Sequence, residues 1–261
     1  MKEKFLILGK GRWGVTIKET VLRLGYEATS LGGLRKREKE SWNDYSVRWS
    51  ALLSSLDAEV IWIATPPGPH VIILSKSILL AGKNLIIEKP WVYSTAEMEE
   101  LEKLALQKNL RVAINYQYVY LSDFKKLKRD WGKRFDDCKY VDLEFQISRG
   151  ERRDISIYEN LASHLLSLHL CFFQYCGVRS IYLGSGSTDN RSVSFFNSSN
   201  ELLHKIDFTK NSEPILERFI LEYLRSITNK SICIPDLKFA MQIYENLEIY
   251  KGSLKVLIDE K

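Results

Sequence analysis

Three glycines, Gly9, Gly11 and Gly14, form G-x-G-x-x-G in "GKGRWG". They follow the apolar run Phe5–Leu8 and open the amphipathic run Val15–Leu24. Between a strand and a helix each glycine has its own role. One allows a tight turn, one lets the backbone approach a pyrophosphate closely, and one permits close helix–strand packing. The helix N-terminus adds free N–H groups and partial positive charge for phosphates. Lys10 and Arg12 add charge inside the turn, and Trp13 stands beside them. The pattern predicts a dinucleotide site; the alternative is a glycine-rich turn with no ligand.

The next strand bears on which dinucleotide. An acid that bonds the ribose 2′-OH is expected about 20 residues on, at the strand end. Residues 29–37 read "TSLGGLRKR" instead. Ser30 stands near the expected place, Glu27 comes too early, and no carboxylate follows until Glu38. Arg35, Lys36 and Arg37 occupy the space. A hydroxyl with a planar two-pronged guanidinium fits a 2′-phosphate, so NADP is favoured and NAD is the alternative. A solvated basic loop is the plain reading of the same residues.

The elements that would carry these residues alternate. Over 1–118, strand runs ("KFLIL", "YEATSL", "AEVIWIAT", "NLIIE", "RVAINY") alternate with helical ones ("WGVTIKETVLRLG", "SVRWSALLSSL", "GPHVIILSKSILLAG", "STAEMEELEKLALQKN"). Short connections between them predict an α/β domain: a doubly wound parallel sheet with helices on both faces, a Rossmann arrangement. Ser94 and Glu97 predict a capping box. From 119 to 261 the grammar changes. "YVDLEFQIS" alternates apolar and polar residues, short strands are separated by Gly, Ser and Asn, and three helical runs stand apart. An α+β second domain with an antiparallel sheet is expected, with the last helix able to pack back on the first domain.

Composition bounds the rest. The 261 residues are 45% hydrophobic and 27% charged, as in globular proteins. No apolar run reaches the roughly 18 residues needed to span a bilayer, and the N-terminus is too short and acidic for a signal peptide. Cys138, Cys171, Cys176 and Cys233 lack ligand-like spacing, so reduced cytoplasmic thiols are expected, with no disulfide frame and no metal. The formal charge of +5 suits an anionic small molecule more than nucleic acid.

Three further segments sharpen this. "ATPPGPH" at 64–70, "IIEKP" at 86–90 and "VAINYQY" at 112–118, in register with "GKGRWG", resemble the Gfo/Idh/MocA family (glucose–fructose oxidoreductase, inositol dehydrogenase, rhizopine catabolism). The likeness spans about 1–120 and is looser beyond. It implies an NAD(P)-dependent oxidoreductase acting on a sugar, polyol or nucleotide sugar. It also implies an open, mostly antiparallel second-domain sheet, through which a homo-oligomer such as a dimer would form. By position Lys89 matches the family's catalytic lysine, with Pro90 where a cis peptide is usual. Thr65, Pro66 and His70 match the cofactor-lining segment, Glu88 stands with Lys89, and Asn115 matches the asparagine of the last turn. A lysine partly desolvated beside a nicotinamide would have a lowered pKa and could relay a proton near neutrality. A surface lysine at a strand end is the plain alternative.

The second domain departs from the pattern. Relatives carry D-x-G-x-H-x-x-D, whereas this chain has "NLASHLLS". His164 is kept, but Asn160 and Ser167 replace the aspartates. Helical spacing puts Asn160, His164, Ser167 and Cys171 on one stripe and Leu161, Leu165, Leu168 and Phe172 on a neighbouring apolar one, with His169 pointing elsewhere. Without an aspartate the histidine gains no charge partner. An imine or double-bond reductase, or a cofactor-binding module without catalysis, are therefore the alternatives. Tyr158 is a second candidate proton donor, or a hydrophobic anchor.

Overall fold

The computed structural model describes residues 3–32, 36–90, 94–134, 137–148, 156, 158–185, 188–231 and 235–258. Two compact units emerge: Met1–Asn115 with Leu216–Met241, and Tyr116–Ile215 with Gln242–Lys261. The change of grammar at 118 lies close to the first of these boundaries, and residues 216–241 return to the first unit.

In the first unit, β1 (Lys4–Leu8), β2 (Glu27–Leu31), β3 (Val60–Ile63), β4 (Asn84–Ile87) and β5 (Val112–Ile114) form a parallel sheet in the order β2-β1-β3-β4-β5. Helices α1 (Arg12–Arg23), α2 (Trp42–Ser55), α3 (Pro69–Leu80) and α4 (Thr95–Gln107) make the crossovers. Leu6, Ile7, Leu8, all of Val60–Ile63 and Leu85–Ile87 are buried, as a sheet covered on both faces requires. The edge strand β2 is half-exposed. Helix α7 (Ile215–Thr228) completes this core. Phe219 meets the Trp62 ring edge-on at 5.6 Å. The Tyr223 hydroxyl lies 3.1 Å and 2.9 Å from the carbonyl oxygens of Leu85 and Arg111. Ser94 and Glu97 do form a capping box. A second box, Ser41 with Asp44, starts α2 at Trp42, ahead of the apolar pattern that begins at Ser46. The apolar periodicity alone could not show that extension, because the first turn of α2 is held by its cap.

In the second unit, β6 (Tyr140–Ile147), β7 (Gly177–Ser185), β8 (Asn190–Phe196), β9 (Leu202–Asp207) and β10 (Leu254–Ile258) lie in the order β10-β7-β6-β8-β9. The sheet is mixed, which corrects the expectation of a mostly antiparallel one. β6 with β8 and β8 with β9 are antiparallel; β6 with β7 and β7 with β10 are parallel. Connections explain the difference. β8 and β9 are joined by a tight turn in which Asn197 Oδ1 accepts from the Ser199 and Glu201 N–H groups. β6 reaches β7 through helix α6 (Ser163–Phe172), and a helical crossover returns the chain parallel. The alternation of β6 survives: Val141, Leu143 and Phe145 are buried between half-exposed Asp142 and Glu144. Under the sheet Phe124 of α5 (Ser122–Arg134), Phe173, Phe195 and Phe208 pack ring against ring.

Helix α6 is entered through one π turn, Tyr158–Ala162. That wider turn inserts a residue and displaces the 3.6-residue register assumed for the polar stripe. Every residue from Leu161 to His169 is buried, so the helix has no solvent-facing polar side there. His164 and His169 are both interior, which corrects the separation of a polar His164 side from a core side.

Candidate functional site

Four short hydrogen bonds align the C-terminal ends of the first-unit strands. Gly9 N–H donates to Leu31 C=O, Ala64 N–H to Leu8 C=O, Glu88 N–H to Ile63 C=O, and Asn115 N–H to Ile87 C=O, at 2.9–3.0 Å. The glycine turn, the "ATPPGPH" segment, Glu88–Lys89 and Asn115 therefore stand along one sheet edge. The strand order reverses between β1 and β3, and the crevice at such a point is where ligands bind.

The three glycines separate by role. Gly9 has φ +141°, and a Cβ there would sit 2.6 Å from the Ala64 carbonyl oxygen. A Cβ on Gly14 would lie 2.3 Å from the Gly9 carbonyl oxygen. These two are required by the protein's own packing. At Gly11 a Cβ would meet nothing within 4 Å, and the backbone is extended (φ −71°, ψ 173°). Nothing inside the fold demands glycine there, and the space over the start of α1 is open. No side chain caps α1 or α3, so their first N–H groups remain available to an anion.

A cavity of about 620 Å³ occupies the crevice, lined among others by Gly9, Lys10, Gly11, Thr65, Pro66 and His70. Thr65 Oγ1 lies 3.0 Å from His70 Nε2, and burial lowers the pKa of His70, favouring the neutral ring. Gly32, Lys36 and Trp42 also line the cavity. Sequence reasoning misses Trp42. Its signal is its place at the first helical position after the Ser41 cap, next to the basic run. Its ring is 41% exposed and carries the Lys36 ammonium 5.7 Å from its centroid. Arg12, Trp13, Gly14, Ser30, Glu88, Lys89 and Asn115 do not line this cavity. Arg35 lies outside the described residues.

The basic segment is braced. Arg48 forks onto Glu40 with contacts of 2.6 Å and 2.9 Å, and Glu40 also accepts from the Arg37 N–H. The Arg48 hydrogen bonds, helped by that N–H, hold the Glu40 carboxyl at about 2, well below the usual 4.5. The Glu40 carboxylate is thus committed to arginine. Because the folded pKa is depressed, the contribution of the fork is complete above about pH 4.5 and is lost as pH falls toward 2. Glu40→Gln should therefore lower Tm near neutrality, and thermal melts from pH 7 to 2 should show that deficit vanish in acid. A deficit independent of pH would mean that the fork's charge contributes nothing.

At the other end of the edge, Glu88 Oε1 accepts from Trp62 Nε1 and Asn115 Nδ2, both at 2.9 Å. Burial raises the pKa of Glu88, opposed by hydrogen bonds from Trp13, Asn115 and Trp62. Glu88 thus ties α1, β3 and β5 behind Lys89. Asn115 Oδ1 is buried without a partner among the described residues. Lys89 is half-buried and the Lys89–Pro90 peptide is cis.

The second-unit candidates sit in the aromatic core of their own unit. His164 is 7% exposed, 4.7 Å from the Tyr118 ring centroid edge-on and stacked on Phe145 at 5.6 Å. Ser167 Oγ donates to the His164 carbonyl at 2.6 Å. Tyr158 is buried, its hydroxyl donates to the Leu247 carbonyl, and burial pushes its pKa up to about 12. That is the environment of an anchor. Among the described residues no cluster of His, Cys, Asp and Glu could hold a metal, and no helix is long and apolar enough to cross a membrane.

Comparison with known proteins adds to this geometry. Residues 27–116 match the Gfo/Idh/MocA model, described as an oxidoreductase family with an NAD-binding Rossmann fold. An uncharacterized oxidoreductase of Schizosaccharomyces pombe is 26% identical over 132 residues, 47% of this chain and 36% of that protein. The first curated relatives are matched over only 21% to 36% of their length. Among solved structures, UDP-N-acetylglucosamine 3-dehydrogenase of Acidithiobacillus ferrooxidans superposes with a TM-score of 0.73 at 14% identity, covering 97% of this chain and 98% of that one. An inositol dehydrogenase homolog of Azotobacter vinelandii in complex with NAD+ superposes with a TM-score of 0.70 at 12% identity, covering 95% and 94%. Likeness at this identity shows a shared fold.

Proposed function

We infer, from the match of residues 27–116 to the Gfo/Idh/MocA oxidoreductase model, that the chain is an NAD(P)-dependent oxidoreductase of that type acting on a sugar, polyol or nucleotide sugar. The observation that carries this is the open cradle at Gly11, above an uncapped helix and beside the Thr65–His70 wall. Gly9–Gly11 and the α1 N-terminus would hold the pyrophosphate. Lys36 and Trp42, which also line the cavity, would face the adenosine. The bound nicotinamide would supply hydride acceptance and donation. Lys89, held at the strand end by the braced Glu88, would move the proton of the reacting hydroxyl. Its half-buried position limits competing water. Absorbance of reduced nicotinamide, followed against a panel of polyols and nucleotide sugars, tests this; no signal with any of them, despite cofactor binding, would overturn it.

The neutral Asn160 and Ser167 favour a second reading: an imine or double-bond reductase, or a module that binds cofactor without turnover. Ser167 is bonded to the helix backbone and cannot replace an aspartate as a charge partner of His164. Consumption of reduced cofactor by imines or enones, with no oxidation of polyols, would select the reductase.

We also read the cofactor as NADP, although a neighbour from Azotobacter vinelandii is described with NAD+. The support is Lys36 in the lining of the cavity, with Glu40 engaged by Arg48. Lys36→Ala should cost about one to two decades of NADP affinity and little NAD affinity. Calorimetry showing NAD bound as tightly by the unmodified protein would overturn it. A cytoplasmic homo-oligomer joined through the second-unit sheet completes the proposal. Exposed Tyr140 and Leu202 on that sheet support it, and a monomeric mass by light scattering would refute it.

A further inference from the structure

Cys138 and Cys176 are separated by all of β6, the π turn and α6, yet the fold brings them together. Cys138 enters β6 and Cys176 enters β7, two neighbouring parallel strands. Their Sγ atoms lie 3.0 Å apart. Both residues are buried, at 7% and 2% exposure. The strand entrances are stitched by the Gly177 N–H, which donates to the Lys139 carbonyl at 2.8 Å. His169 Nε2 sits 2.9 Å from the Cys176 carbonyl oxygen and fixes that backbone from the helix side. Cys171, on the same helix, is a thiol outside this pair.

We propose that Cys138 and Cys176 form a redox-active dithiol that closes to a disulfide when a hydroperoxide oxidises it. A disulfide needs its sulfurs about 2.05 Å apart, so closure asks for a movement of about 1 Å. Strands already hydrogen-bonded side by side allow that with small side-chain rotations. The chemistry balances with hydrogen peroxide as oxidant. The Cys138 thiolate attacks one peroxide oxygen; an S–O bond forms, the O–O bond breaks, and the leaving hydroxide takes up the proton that Cys138 released on ionising. The Cys176 sulfur then attacks the Cys138 sulfur; the S–S bond forms, the S–O bond breaks, and the departing hydroxide takes the Cys176 proton. Two thiols lose two electrons, and one peroxide becomes two waters.

The pair is asymmetric in the sense this order requires. The Cys176 thiol donates toward the Cys138 sulfur, which lowers the pKa of Cys138 and raises that of Cys176. Lys139 adds to the stabilisation of the Cys138 thiolate. The less buried thiol is thus the attacking one, and the deeper one keeps its proton until the bond forms. The loop that closes runs from 138 to 176 and contains β6, the π turn and α6, including His164. Closure of a loop of this length should raise Tm by about 5–10 °C.

The test does not involve nicotinamide, so its failure is distinct from failure of the oxidoreductase reading. The reduced full-length protein is treated with hydrogen peroxide, alkylated under denaturing conditions and mapped by mass spectrometry. The expected product has lost two hydrogen atoms, carries a cross-link between the Cys138 and Cys176 peptides, melts higher, and returns to the dithiol with a reductant. Cys171→Ser should form the same cross-link, and Cys138→Ser should not. The proposal is overturned if both thiols stay fully alkylatable, if Cys138 over-oxidises to a sulfinic acid without a cross-link, or if the cross-link joins Cys171. The unmodified protein's peptide map decides the matter alone should the serine variants fail to fold.

Discussion

Lys89→Met should lower turnover by about two to four decades while leaving cofactor affinity nearly unchanged, the size expected for loss of a general acid or base. Methionine keeps the approximate bulk of the stem and removes the ammonium. The cavity in the crevice is lined by other residues, among them Gly9, Gly11, Thr65, His70, Lys36 and Trp42. The support behind Lys89 also survives, because Glu88 is held through Trp62 and Asn115. His164→Ala should cost less turnover. Its ring meets Tyr118 edge-on and stacks on Phe145, and its neighbours at 160 and 167 are uncharged, so it has no carboxylate at those two positions to raise its basicity. Single-turnover rates and calorimetric affinities for both variants decide the ordering. If Lys89→Met keeps near-normal turnover and His164→Ala does not, the lysine is structural. Tyr158 would be a poor replacement, since its hydroxyl is bonded to Leu247 and its pKa is pushed to about 12.

What could be read from the sequence follows from how local each signal was. The first-unit strands are apolar on both faces, so "FLIL", "VIWI" and "LII" announce themselves without knowledge of neighbours. The glycine turn and the Ser94–Glu97 cap are likewise decided within a few residues. The second sheet was harder, because parallel or antiparallel pairing depends on how β6 connects to β7, and the alternation within β6 is the same in either case. The α6 stripe failed for a related reason. The π turn at Tyr158–Ala162 shifts the register, and burial on all sides erases the polar face that periodicity assigned. At the site, residue type outran position. Glu88 and Asn115 read as ligand-facing; in the fold Asn115 Nδ2 donates to Glu88, and the Asn115 carbonyl oxygen is buried without a partner among the described residues. Trp42 was hidden because its place in the crevice depends on the cap at Ser41 and on the loop returning beside β2. The Cys138–Cys176 contact is wholly long-range and left no trace in spacing.

Gly11→Val should abolish nicotinamide dinucleotide binding while leaving the fold intact. The three glycines of the turn make this a controlled comparison. At Gly9 and Gly14 a Cβ would fall within 2.6 Å and 2.3 Å of backbone carbonyl oxygens, so substitution there disturbs the protein itself. Loss of binding in those variants would say little about a ligand. At Gly11 the backbone angles are ones any residue adopts, and the space beyond the Cα holds no protein atom within 4 Å. Valine's branched side chain would then fill only the cradle above the first turn of α1, where the pyrophosphate is proposed to approach the N–H groups. The expected result is a Tm within about 2 °C of the unmodified protein, since surface substitutions rarely move stability by more than about 0.5 kcal/mol. Calorimetry should detect no NAD or NADP binding at concentrations that saturate the unmodified chain. A valine variant that binds either cofactor normally would show that the backbone at Gly11 approaches no phosphate, and the turn would then be a packing device alone. A variant that unfolds would contradict the open space at Gly11.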